Sequence, residues 1–446
     1  MTTPSDQDFY ILNIIGDLKR LVERPQNHLA VVDAFRVFYS ISIVLLHSVT
    51  LVTIFLPPTG IYSCKFTSDP RFIQALFGVN QVDVFFVLSG LMLGLQLLPL
   101  IQSSSFNLKK FLHMILSRIL RFYPTLIVTL IYTHYFIGEP IEIKNILSLL
   151  LFNRNTRYSI NNLTLFTCHL WSISTDFKFF VLFTLFGWLL SVIKNKKYFS
   201  RILKVLLYLL YFSNCIICYY IFSIYPNDIA KLVGKNFNLL FSHTEETYAA
   251  TVKRYNLTYY TKAERNYSDI EQKSNLIYFE QLYVPVYTRY GTFIVGVIIA
   301  MHLLTLNNSQ QQEQQSKARI LLKVICKYVL LSIGFVIIAS GLISTSRTTD
   351  CDEIQTLPLA IIIFFFCFFK LIYGAGVGFI LYCVLVPNKH PFHTPWLKYL
   401  FSLQIFYPLS QLSFGLYVFH IPILLTIFIY YIKPKPEQIT IELACN

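Results

Sequence analysis

The sequence predicts an all-α integral membrane protein of about nine transmembrane helices in one bundle, and three observations predict it. Only 13% of the 446 residues are charged while 55% are hydrophobic, and mean hydropathy is +0.55; a soluble domain carries roughly 25% charged residues. The 40 Phe and 30 Tyr residues provide lipid-facing surface and interfacial belts. The apolar residues fall into runs of about 20, the length that crosses roughly 30 Å of hydrocarbon.

In chain order, residues 1–34 form a polar, amphipathic lead-in, 35–432 a multi-pass membrane domain and 433–446 a tail. Spans are expected at 35–56, 74–99, 119–138, 172–193, 202–224, 287–306, 320–344, 357–386 and 409–432. The apolar stretch 396–407 is too short to cross and reads as an interfacial helix ending at Pro408. Residues 225–286 make a long, tyrosine-rich extramembrane loop, and Asn307–Gln315 a low-complexity linker.

The net charge of +14 does not indicate nucleic acid, because the basic residues sit in short clusters between apolar runs. Lys109, Lys110, Arg118, Arg121, Lys194, Lys196, Lys197, Arg201, Lys317, Arg319 and Lys323 all fall on the side of the N-terminus. Glu139, Glu142, Asp228, Glu245, Glu246, Asp350 and Asp352 fall on the other. This asymmetry puts the N-terminus in the cytosol, or in the matrix of an organelle. The endomembrane system, plasma membrane and mitochondrial inner membrane all stay open. No secretory signal or Arg-rich transit sequence is expected from residues 1–34. Sequons at Asn162, Asn256 and Asn266 lie on the far side, and one at Asn307 on the basic side. Cys215 and Cys218 have CxxC spacing inside an apolar run, where packing is expected and metal binding is not.

Ionisable groups within spans are costly and mark function. Arg36 and His47 are eleven residues apart, which brings them to roughly the same helix face about 16 Å apart along the axis. Arg36 is expected at the basic interface and His47 near mid-membrane. Asp83, in VDVFFVLSG, is an interfacial cap if its helix begins at Val82, or an intramembrane acid if it begins near Gln74. In the second case it is able to face His47 and orient the imidazole of a general base. Ser89 reads as a small helix-contact residue. Asp176 and Lys178, two apart, do not share a face. His420 is expected about 16 Å into the last span from Leu409. Two histidines at similar depth point to one polar centre, with a hydrogen-bonded core histidine as the structural alternative for His420.

These segments resemble the type-three membrane acyltransferases, in particular the branch named nose resistant to fluoxetine. The likeness runs in order over roughly residues 9–424: FYILNIIGDLKRL, VVDAFRVFYSISIVLLH, VDVFFVLSG, SRILRFYP, CHLWSISTDFKFF, YVPVYTRYGTFIVG and FYPLSQLSFGLYVFH. Arg36 and His47 match the family's arginine–ten–histidine motif.

The resemblance implies transfer of an acyl group from a coenzyme A-like thioester, taken as a substrate, to a hydroxyl of a lipid or carbohydrate, with no tightly bound cofactor. It implies His47 as the base with Arg36 as its partner, and places Asp83, Asp176 and His420 at further motif positions. Arg36, Arg118, Arg121 and Tyr123 are expected at the donor, where arginines suit phosphates. The branch also carries a secretory signal, a cysteine-rich luminal domain, a cysteine near Glu142–Leu147 to pair with one like Cys168, and at least one more span; this sequence departs on each point.

The departures keep a second class in view, a catalytically retired structural subunit of a larger membrane complex. Co-purification in a stable multi-subunit assembly would mark it. A transporter is the third reading, since intramembrane His and Asp also suit proton relays, but no internal repeat is evident. Expected partners are membrane lipids and the acyl donor, with other subunits in the second class and no nucleic acid.

Overall fold

The computed structural model describes residues 22–25, 29–55, 81–103, 105–137, 143–153, 168–191, 199–224, 282–308, 323–334 and 364–427. Among these, all regular structure is helical: α1 Ala30–Phe55, α2 Gln81–Gln102, α3 Leu108–Ile137, α4 Ile143–Leu150, α5 Trp171–Ser191, α6 Phe199–Ile224, α7 Tyr290–Asn308, α8 Lys370–Leu385, α9 Pro395–Phe401 and α10 Phe406–Ile427. A helical segment also occupies 323–334, and a π-helical turn, Phe364–Phe369, leads into α8. Among the described residues seven helices are long and apolar enough to cross a membrane, so the protein is integral and multi-pass. Of the two other expected spans, 287–306 corresponds to α7, whose apolar stretch Tyr290–Leu306 is shorter. The span at 320–344 is described only over 323–334.

Several boundaries move from their expected places. α1 starts at Ala30 because Val31, Val32 and Ala34 are already in the core. α3 starts at Leu108, so Lys109, Lys110, Arg118 and Arg121 ride on a helix and not in a loop. Its Leu112, Leu116 and Leu120 recur every four residues and stay exposed, which turns the opposite arc, with Arg118, inward. The interfacial helix α9 ends at Phe401, and Pro408 belongs to the first turn of α10, where a missing N–H costs nothing. The short far-side helix α4 was not foreseen. The sequons at 162, 256 and 266, most of the 225–286 loop, the 309–315 part of the linker and the tail lie outside the described residues.

α2 and α7 form the buried centre. Gly90 and Gly296 let their backbones touch: a Cβ on Gly90 would meet the Phe293 carbonyl oxygen at 2.0 Å, and one on Gly296 the Val87 carbonyl oxygen at 2.0 Å. Small residues at such crossings replace the hydrophobic drive that lipid cannot provide. Phe86 meets Phe179 of α5 edge-on at 5.5 Å, and Phe179 meets Phe293 at 5.3 Å.

Around this centre α1 packs on α10, the first described span against the last. Phe35 of α1 meets Phe401 edge-on at 5.0 Å, and Phe38 meets Phe406 at a tilt at 5.2 Å. Arg24 ties the lead-in to the α9–α10 joint by donating to the Ser402 and Leu403 carbonyls at 2.8 and 2.9 Å. Buried Asp33 accepts from Ser410 at 2.7 Å. This pairing sets the site.

Candidate functional site

α1 delivers His47 about 25 Å along its axis from Ala30, and α10 delivers His420 about 21 Å from Phe406. Both lie further from their helix starts than expected because both helices start earlier. Their rings meet, with His420 Nε2 2.9 Å from His47 Nδ1. His420 Nδ1 lies 2.6 Å from the Tyr417 carbonyl oxygen, which only accepts, so Nδ1 carries the hydrogen. Neutral His420 then accepts at Nε2, His47 donates from Nδ1, and the basic lone pair of His47 falls on Nε2. The carbonyl–histidine–histidine chain fixes both tautomers, as a carboxylate would.

A third histidine, His169, sits against this pair, its ring 4.7 Å from that of His420. Proline chemistry explains its place. Pro422 lies inside α10 and has no N–H to give the carbonyl of Val418, four residues earlier. His169 Nε2 donates to that carbonyl at 3.0 Å. The His169 Nδ1 acceptor is buried without a hydrogen-bond partner. Tyr417 donates to the His169 carbonyl at 3.0 Å, and its hydroxyl also meets that of Ser172.

Ser172 and Tyr417 form one wall of a cavity of about 420 Å³. Neither His47 nor His420 lines it; the hydroxyl pair joins cavity and histidines. The rest of the lining has a polar part, the guanidinium groups of Arg36, Arg118 and Arg121 with the ring of His113, and an apolar part that includes Phe85, Met92, Met114 and Phe414. Arg118 is held in a salt bridge to Asp176, donates to Ser89 at 2.8 Å, and stacks over Phe180 at 4.3 Å. Asp176 Oδ1 is buried there without a partner. Arg36 and Arg121 lie close enough to repel one another. The chamber therefore offers cationic, hydrogen-bonding and apolar surface to one elongated ligand.

Two predicted site residues are placed elsewhere. Asp83 is buried in the first turn of α2, in a salt bridge with Arg289, and accepts from Thr292 at 3.2 Å. The carboxylate that the deeper of the two registers would set beside His47 is thus engaged by a guanidinium, and a histidine contacts His47 instead. Arg289 is 2% exposed and also donates to the Tyr283 carbonyl at 2.7 Å. Burial pushes the adjacent Tyr283 hydroxyl up to about 12. This second polar centre reads as a structural clamp. Tyr123 is turned from the cavity toward α4, its hydroxyl donating to the Leu150 carbonyl at 2.8 Å and its ring 5.9 Å from Phe152. Ser89 is a hydrogen-bonding contact, and Lys178 pairs with Asn153, not Asp176.

Sequence reasoning missed His169, Ser172 and Tyr417 as members of the centre and Arg289 as the partner of Asp83. Among the described residues no three His, Cys, Asp or Glu side chains have metal-holding geometry.

Comparison with known families adds one finding. The profile of the acyltransferase domain family of type three matches residues 29–441. No curated protein and no solved structure matches the chain.

Proposed function

Because the chain belongs to the type-three acyltransferase family, we propose that it is a membrane-bound acyltransferase that uses a coenzyme A-like thioester and an acceptor bearing a hydroxyl, with His47 as general base. The observation that carries this reading is the His47–His420 contact beside a cavity lined by three arginines. In the reaction, His47 Nε2 takes the acceptor's hydroxyl proton as the oxygen attacks the thioester carbonyl. The carbon–sulfur bond breaks, and the leaving thiolate receives the proton from the His47 imidazolium. His420 steadies that imidazolium through the Nδ1–H hydrogen bond.

The donor end of the cavity suits phosphates at Arg36, Arg118 and Arg121 and an amide N–H at Asp176 Oδ1, while its apolar part suits an acyl chain. Entry of the donor from the cytosolic or matrix side follows from the arginine-bearing face, with the N-terminus on that same side. The test is thiol release from acetyl-, octanoyl- and palmitoyl-coenzyme A by membranes holding the native protein or His47→Ala. The native protein should release thiol from at least one donor, and the variant, accumulating normally, should not. Equal activity overturns the assignment.

A further inference from the structure

The basic side of the molecule carries a second site, away from the cavity. Four elements build it: α8, the loop after it, α9 and the helix 323–334. With α6 and α7 beside them, the described residues of these elements contain no Asp or Glu, and the acids of α1 and α2, on which α9 and α8 also pack, are engaged by Ser410 and Arg289. Within this acid-free sector Lys327 is buried, 6% exposed, and its ammonium donates to the main-chain carbonyl of His393 at 3.2 Å. A buried cation facing a neutral carbonyl lacks the countercharge that burial normally demands.

The surroundings add donors of the same sign. Lys323 stands by His390, and Lys398 by His393. Burial, and after it these lysines, push both rings below the ordinary histidine value. His390 Nδ1 accepts from the Phe392 N–H at 3.3 Å, so the neutral ring carries its hydrogen on Nε2 as a further donor. Tyr328, Trp396 and Tyr399 around the group are 53%, 56% and 75% exposed, as side chains at a membrane–water boundary are.

We propose that this face binds the phosphate headgroup of an anionic membrane lipid, with Lys327 at its floor, Lys323 and Lys398 at its sides and His390 donating from Nε2. A headgroup supplies the missing countercharge. The exposed aromatic rim selects a lipid over a soluble phosphate, because such side chains anchor at headgroup depth and offer a free ion nothing. The site is independent of the acyl-transfer reading.

The experiment places the full-length protein in phosphatidylcholine nanodiscs with spin-labelled phosphatidylglycerol or spin-labelled phosphatidylcholine, and compares the immobilised fractions. The native protein should prefer phosphatidylglycerol. Lys323→Gln with Lys398→Gln, both at the rim and compatible with folding, should weaken that preference about 25-fold, since each surface lysine is worth about fivefold. Lys327→Met, if it folds, should weaken it further. Equal immobilisation of the two lipids by the native protein overturns the proposal, and so does an unchanged preference in the double variant. Displacement of the label by millimolar inorganic phosphate overturns the lipid assignment in favour of a soluble ligand.

Discussion

His420 and His47, 373 residues apart in sequence, meet through one hydrogen bond, Nε2 to Nδ1 at 2.9 Å. One imidazole orients another, and the main-chain carbonyl of Tyr417 orients the second. Acids stand further off, engaged with Arg118 and Arg289.

His420 is therefore a positioning residue, and its loss should lower kcat and spare KM. His420→Ala removes the imidazole that accepts from His47 Nδ1, so kcat for thiol release should fall on the order of a hundredfold. His420→Gln, whose Oε1 accepts in the same place, should recover much of it. A raised KM with normal kcat in either variant contradicts this role.

The Pro422–His169 relationship gives a second prediction. Pro422→Ala restores the helical N–H donor to Val418, which then competes with His169 for that carbonyl. The released ring should loosen its packing on His420 and lower kcat on the order of tenfold, while the protein melts no lower than the native one. Unchanged kcat together with a lower melting temperature would mark His169 as structural alone.

Arg36 and Arg121 line the cavity free of the Asp176 salt bridge that holds Arg118. Replacing either by Gln should raise KM for the coenzyme A donor on the order of 10- to 100-fold with little change in kcat, since a charge-assisted contact to phosphate is worth roughly 1.5–3 kcal/mol. Steady-state kinetics over donor concentration distinguishes this from a uniform loss of activity.

Asp83 and Arg289 should behave as a clamp. Breaking a buried pair from one side leaves an uncompensated charge, so Arg289→Met should cost about 3–5 kcal/mol of stability. Asp83→Leu combined with Arg289→Leu removes both charges and should recover most of it. If the double variant folds as the native protein does yet releases no thiol, Asp83 has a catalytic part after all.

Much of this was legible beforehand, and the limit has a physical form. The eleven-residue interval between Arg36 and His47 fixes their face and separation, because helix geometry is local. The shared depth of His47 and His420 was also readable, since hydropathy locates both spans. Which helices stand side by side is a property of packing, and no interval within a helix reports it. Hence Asp83 was left with two registers and no Arg289, although Arg289 lies in one of the family-like segments. Tyr123 stood in the right segment but faces α4. His169 did leave a trace, in the proline two residues after His420: a stripped carbonyl at Val418 needs a donor from another helix, and a histidine heads α5.

The pairing of α1 with α10 also governs biogenesis. A ribosome releases the segment bearing His420 some 373 residues after the one bearing His47, so the first half of the centre waits for the second while all that lies between is made. Until the segment at 406–427 is inserted, the part of α1 that packs on α10, with His47, lacks its partner. Quality-control proteases that read polar groups on unassembled spans have a mark there, and every product that ends between α1 and α10 carries it.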